Sequence, residues 1–188
     1  MVEELETMLI AYFDWVVAIG EIGFDYYHLD PERAEEQKET QRDLFFAMTK
    51  LAIKYELPVI IHTREARVDT LRYIKESGIK KVIIHCFSED YEFARELMEY
   101  SDEIYFSFSG IVTYKKSLAV QEAAKRLPLS KILIETDAPF LSPQIVRGTV
   151  NESANVRHVL AMIQDLRSES ADEIERAIYE NSLRVYGI

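Results

Sequence analysis

Short apolar runs recur along this chain, and most of them close on a residue able to carry chemistry. The runs are Trp15 to Ile22, Val59 to Ile61, Val82 to Ile84, Ile104 to Ile111 and Ile132 to Ile134. Each reads as a strand. Between the first two, Leu44, Phe45, Met48, Leu51, Ala52 and Tyr55 recur at three- and four-residue steps. That spacing predicts a helix packed on a sheet. Asp30 is the expected N-cap of this helix, with Pro31 at its first position. The next helix carries Val68, Leu71 and Ile74 and stops near Gly78. Ser88 is expected to cap a helix holding Phe93, Ala94, Leu97 and Met98. Further helices are expected from Lys116 to Arg126 and from Asn151 to about Arg167. A last helix opens on a Ser170/Glu173 capping box. Near-continuously apolar strands separated by helices mean an α/β fold with a parallel sheet covered on both faces.

Such folds place their chemistry at the C-terminal ends of the strands. At those ends stand Glu21, His62, His85 and, just past the fifth strand, Glu135 and Asp137. Side chains alternate along a strand, so His62 shares a face with Ile60. In a barrel that face is the interior, where the four strand ends converge. Carboxylate and imidazole together suit zinc, manganese or a related divalent ion. Such an ion activates water, and an adjacent Asp can bind it and accept the water's proton.

Blander readings compete. A lone His at a strand end is more often structural than a ligand; the matched set of two His, Glu21 and Asp137 is what raises the metal reading. Glu135 and Asp137 lie two apart, so one of them can simply line the cavity, or Glu135 can pair with an Arg. His28 follows two Tyr and reads as a surface residue. His158 reads as a packing residue within a helix, and Cys86 as a buried thiol pointing away from His85. Arg64 and Arg147 are candidates for a substrate anion, since guanidinium matches phosphate geometry; a surface salt bridge is the alternative for each.

Composition narrows the setting. The 188 residues are 48% hydrophobic, enough for one domain spanning residues 1–188 with a substantial core. No run approaches the ~20 apolar residues of a membrane-spanning helix. A single cysteine, Cys86, excludes an internal disulfide framework and fits a reducing, cytoplasmic setting. The net charge of -11 disfavours a general DNA-binding surface. Contact with a nucleic acid would have to be local and metal-mediated.

The motifs in order are Gly20-Glu21-Ile22-Gly23-Phe24-Asp25-Tyr26-Tyr27, Ile61-His62-Thr63-Arg64, Ile84-His85-Cys86-Phe87-Ser88 and Phe106 to Thr113. Glu135-Thr136-Asp137-Ala138-Pro139-Phe140-Leu141, Arg147-Gly148, Asn151-Glu152 and Val156-Arg157-His158-Val159 follow. This series closely resembles the TatD family of metal-dependent hydrolases and deoxyribonucleases, from about Val16 onward. The resemblance implies a TIM-type barrel with one or two divalent metals (Mg, Zn or Mn) at its C-terminal mouth. It implies hydrolysis of phosphodiester bonds, DNA among them. It implies that Glu21 bridges two metals, that His62 and His85 bind one, and that Asp137 binds the other and helps activate water.

The chain departs from the family pattern in one large respect. Family members open on a strand bearing His-x-His, followed by two more strand-helix units before the Gly-Glu-Ile-Gly strand. Here that strand starts around residue 16, so the expectation is a barrel truncated to about five parallel βα units, with the second metal site lacking its His pair. Ser153 and Val146 stand where the family commonly has Pro and His. Five strands cannot close an eight-stranded barrel. Trp15 to Ile19 and Ile132 to Ile134 would then be open edges, which favour pairing with another chain. A homo-oligomer, a dimer, is the expected result; the alternative is a fragment whose true start lies upstream. The amphipathic opening segment from Met1 to Tyr12 is expected to be helical, either the remnant of the preceding helix or a cover for part of the gap. A catalytically impaired relative that binds metal or a partner without turnover is the competing functional reading.

Overall fold

The computed structural model describes residues 2–188; Met1 lies outside the described residues. Five strands form one parallel sheet in the order β1-β2-β3-β4-β5. They are β1 (Ile19–Asp25), β2 (Val59–Arg64), β3 (Val82–Ile84), β4 (Ile104–Phe108) and β5 (Ile132–Ile134). Sequential strands are spatial neighbours throughout, each pair joined by a helical crossover. The helices are α1 (Val2–Ala11), α2 (Ala34–Lys54), α3 (Arg67–Ser77), α4 (Tyr91–Met98), α5 (Leu118–Arg126), α6 (Val156–Leu166) and α7 (Ala171–Tyr186). None of the described helices is long and apolar enough to cross a membrane.

The two-residue period divides the sheet into unequal faces. Val59, Ile61, Val82, Ile84, Ile104, Phe106 and Ile132 face one way. They are buried in the main core with Phe45, Ile74, Phe93, Val120, Ile163 and Ile178 from the helices. The alternate residues Ile60, Ile83, Tyr105 and Leu133 face the other way and join only Val185 and Tyr186 from α7 in a small cluster. This second face has the character of a barrel interior, with the functional strand ends on it, as the expected TIM-type architecture of about five parallel βα units requires.

Several element boundaries differ from those the sequence suggests. β1 begins at Ile19, not near Trp15; Phe13–Trp15 form a 3-10 turn and Trp15 is 84% exposed. The open edge at this side is therefore Ile19–Asp25. Asp30 does not cap α2. Its carboxylate accepts the Glu32 N–H at 3.0 Å, closing a turn ahead of a helix that starts at Ala34. Ser88 does not cap α4 either. Asp90 accepts the Phe93 N–H at 2.8 Å, and its other oxygen accepts from Arg67 Nη1 at 2.8 Å. An ionised acceptor braced by a guanidinium is the stronger cap. The Ser170/Glu173 capping box and the left-handed Gly78 terminator (φ 77°) stand where the sequence places them.

β1 contains a feature the sequence conceals. Ile19 pairs with Val59 and Ile22 with Ile61, so Gly20 and Glu21 together oppose Ile60. This is a β-bulge, and bulges re-aim side chains next to functional sites. It lets Ile19 share the buried face with Ile22 and Phe24; in unbroken alternation from Ile19, Glu21 would take the buried face and Ile22 the interior. Gly23 is required where β1 resumes: its φ is +142°, and a Cβ there would lie 2.0 Å from the His62 carbonyl oxygen.

Candidate metal centre

Glu21, turned inward by the bulge, stands between two imidazoles from neighbouring strands. Its Oε1 lies 3.0 Å from His62 Nδ1 and its Oε2 lies 3.6 Å from His85 Nε2. Asp137 approaches the same nitrogen of His85, with Oδ1 at 3.4 Å. The four residues singled out from the sequence therefore come together, with Glu21 and His85 at their middle.

The other ring nitrogens point away to a second set of carboxylates. His85 Nδ1 is 2.8 Å from Glu135 Oε1, which also accepts the Cys86 N–H at 3.1 Å. His62 Nε2 is 3.5 Å from Asp25 Oδ2. Asp25 also accepts the backbone N–H of His28 at 3.1 Å and faces its Nδ1 at 2.6 Å. Glu135 thus pairs with a histidine and not with an arginine, and His28, although exposed, holds Asp25. Cys86 contacts Ser109 Oγ at 3.0 Å, away from the carboxylates. His158 lies on α6, 3.5 Å from Arg157 Nε, and takes no part.

Charge explains the shifts of these groups. Contact with His62 holds Glu21 below its usual range against the cost of burial. Burial would raise Asp25, but His28 and the charge of His62 bring it down. Burial pushes Asp137 up; His85 pulls against this, and Glu135 and Glu21 add to the rise. Burial would lower His85, yet Glu135, Glu21 and Asp137 outweigh it and lift the imidazole to about 9. Burial drives the Cys86 thiol to about 12.

A divalent cation fits this donor set. Among the described residues, Glu21, Asp25, Glu135 and Asp137 have only histidines as ion-pair partners. No Lys or Arg neutralises them. Ligand atoms at ~2.1 Å from one ion sit roughly 3.0–3.4 Å apart in octahedral or tetrahedral arrangement. The separations of 3.4 and 3.6 Å at His85 Nε2 lie close to that range, while the 3.0 Å contact of Glu21 with His62 Nδ1 is also of hydrogen-bond length. One ligand atom each from His85, Glu135 and Asp137 also lies within 4.8 Å of the others. The 2.8 Å contact between Glu135 and His85 Nδ1 is a hydrogen-bond length. Glu135 is therefore suited to orient the ring from outside, leaving Nε2 for an ion.

Backbone conformation and the following loop fix Asp137. It has φ 58°, and Cys86 beside His85 has φ 46°. Such left-handed non-glycine residues cost roughly 1–3 kcal/mol and concentrate at functional sites. Buried Asn151 donates from Nδ2 to the carbonyls of Thr136 at 2.8 Å and Phe140 at 2.6 Å, and its N–H bonds Pro139 O at 3.0 Å. This brace was not foreseen as a role, nor was that of Asp25. A polar residue amid a glycine- and proline-punctuated loop was the available signal for the first. For the second, it was an Asp closing an apolar strand.

Arg64 and Arg147 stand apart from these ion pairs. The Arg64 guanidinium stacks on the Tyr27 ring at 4.0 Å and that of Arg147 on Tyr114 at 4.4 Å. Among the described residues neither forms a salt bridge. Each guanidinium lies over an aromatic ring, and no side-chain hydrogen bond of either occurs among the described residues.

Comparison with known proteins agrees with the geometry. The family described as TatD related DNase matches residues 1–187. The chain is 40% identical to the uncharacterized metal-dependent hydrolase YabD of Bacillus subtilis, over 92% of this chain and 66% of that protein. It is 36% identical to the uncharacterized metal-dependent hydrolase YcfH of Escherichia coli, over 100% of this chain and 68% of that one. The chain thus spans about two thirds of the length of the curated relatives it matches. The crystal structure of YJJV, a TatD homolog from Escherichia coli, superposes with a TM-score of 0.90 at 30% identity, covering 100% of this chain and 70% of its own. An uncharacterized amidohydrolase from Saccharomyces cerevisiae shares the fold, with a TM-score of 0.82 at 17% identity, over 98% of this chain and 70% of its own.

Proposed function

The chain belongs to the TatD related DNase family of metal-dependent hydrolases, and on that premise we propose that it hydrolyses phosphodiester bonds in DNA at the centre built by Glu21, His62, His85 and Asp137. The observation that carries this reading is Glu21, whose two oxygens face the inward nitrogens of both histidines. In this reading all four residues are metal ligands. A bound divalent ion such as Mg, Zn or Mn would supply positive charge at the phosphoryl oxygen and acidify a water.

The chain's own residues supply the rest. Asp137 accepts the proton of the attacking water. Glu21 holds the two imidazoles in one arrangement. Arg64 and Arg147 bind the phosphates flanking the scissile bond, pre-oriented by Tyr27 and Tyr114. These two guanidiniums supply the local attraction that a chain of net charge -11 otherwise lacks.

Metal content and DNase activity, measured on the chain and on Glu21→Ala, test this. Stoichiometric metal and metal-dependent cleavage, both lost in the variant, are expected. Metal without cleavage would favour the second reading, a centre that binds an ion or a partner without turnover. One observation supports that alternative: among the described residues, His85 is the sole imidazole beside Asp137.

We further propose that a second copy of the chain covers the free edge of β1. Exposed Met8, Tyr12, Trp15 and Val17 flank this edge. An apolar groove of about 220 Å³ lies there between α1, β1 and α2. An unpaired strand beside exposed apolar surface is a pairing site. Sedimentation of the chain and of Trp15→Asp tests it: a dimer that the substitution dissociates is expected, and a monomeric parent chain overturns it.

A further inference from the structure

Asp25 is a carboxylate beside the centre that the reading above leaves without a role. Its position is fixed twice over. Its N–H donates to Gln41 Oε1 and its carbonyl accepts from Gln41 Nε2, both at 3.1 Å, so α2 clamps the end of β1. Its Oδ1 accepts the His28 N–H at 3.1 Å, and Oδ2 lies 2.6 Å from His28 Nδ1. The same Oδ2 is the carboxylate oxygen facing His62 Nε2, at 3.5 Å. That nitrogen is buried and has no hydrogen-bond partner.

A neutral imidazole carries one ring proton, and the hydrogen bond at one nitrogen decides which nitrogen is left to coordinate. For His62 the choice lies between Nδ1, facing Glu21 at 3.0 Å, and Nε2, facing Asp25. We propose that Asp25 is a positioning residue that accepts a hydrogen bond from Nε2–H of His62 and so keeps Nδ1 as the ring's coordinating nitrogen. The inference rests on reading His62 as a metal ligand. The arrangement parallels Glu135 and His85 with the ring nitrogens exchanged: Glu135 contacts Nδ1 of His85 at 2.8 Å, and Asp25 faces Nε2 of His62 at 3.5 Å. Opposite tautomers let two histidines on adjacent parallel strands turn toward one carboxylate, Glu21.

Zinc is the probe, being diamagnetic and suited to nitrogen and oxygen ligands. Long-range ¹H–¹⁵N spectra of the zinc-loaded chain should place the His62 proton on Nε2. In Asp25→Asn, Oδ1 stays engaged by the His28 N–H, so the amide NH₂ faces His62 and demands the other tautomer. Zinc affinity, measured by chelator competition, should fall about 10–100-fold, and Asp25→Glu should recover part of it. A proton on Nδ1 in the unaltered chain, or an Asp25→Asn affinity within twofold of the parent, would overturn the proposal. The spectrum of the unaltered chain decides even if the variant does not fold. If His62→Ala leaves zinc affinity unchanged, the ligand reading fails instead, and this is a separate result.

Discussion

Glu135 Oε1 and His85 Nδ1 are joined at 2.8 Å, and this one contact leaves the histidine a single nitrogen free to face Glu21 and Asp137. The same oxygen is held by the Cys86 N–H at 3.1 Å, so the carboxylate cannot swing inward without abandoning two partners. The orientation of the centre is thus set from outside it.

Glu135→Gln tests this directly. A glutamine can present its NH₂ to Nδ1 and draw the ring proton onto Nε2. The expected result is zinc binding weakened about 10–100-fold with the fold intact, read by chelator competition and circular dichroism. Retention of parental affinity would show that His85 needs no such partner.

The elevated affinity of His85 for a proton has two opposite consequences. Its value rises from 6.5 to about 9 because Glu135, Glu21 and Asp137 together outweigh burial. In the metal-free chain the charged ring therefore stabilises the fold fully below pH 6.5, and that contribution disappears as pH passes through about 9. Metal, however, must displace the proton, so its affinity rises with pH over the same window. Thermal denaturation between pH 6 and pH 9.5 should show a falling Tm without metal, and a smaller or reversed trend with saturating zinc.

Gly23 admits no side chain. Its φ of +142° and the 2.0 Å approach to His62 O make Gly23→Ala incompatible with the present β1–β2 pairing. The expected cost is roughly 2–3 kcal/mol or more, seen as a lowered urea midpoint. Displacement of the His62 backbone should weaken metal binding as well. A variant as stable as its parent would mean that the strands pair differently at this point.

Arg64 and Arg147 should act on substrate affinity more than on turnover. Arg64→Ala is expected to raise KM for an oligonucleotide about tenfold with kcat little changed, and to make the salt dependence shallower by about one counterion. Tyr27→Ala, which removes the stacking surface, should have a smaller effect in the same direction. Equal losses in kcat for both would move Arg64 into the chemical step.

The ends of β2, β3 and β5 were legible because short apolar runs stop at His62, His85 and Glu135. β1 was less so. Its apolar content begins at Trp15, but Val16 to Ala18 lie outside the strand. The bulge at Gly20 and Glu21 is set by pairing with β2, a tertiary effect that no local pattern encodes. Caps were legible where the box was reciprocal, at Ser170 and Glu173. They were misplaced where a turn or an ion pair competed, at Asp30 and at Asp90 with Arg67. Asp25 escaped notice because its partners, Gln41, His28 and His62, come from three separate segments.

β1 is one of the sheet's two edge strands, and it also supplies Glu21. A terminal strand is the first part of a sheet to fray. Any ion gripping Glu21 through His62 and His85 would rivet that strand to β2 and β3, so keeping the ion and keeping the border closed are one equilibrium. Hydrogen exchange at the amides of Ile22 and Phe24 should slow on zinc addition. Amides of β4, far from the rivet, should not change.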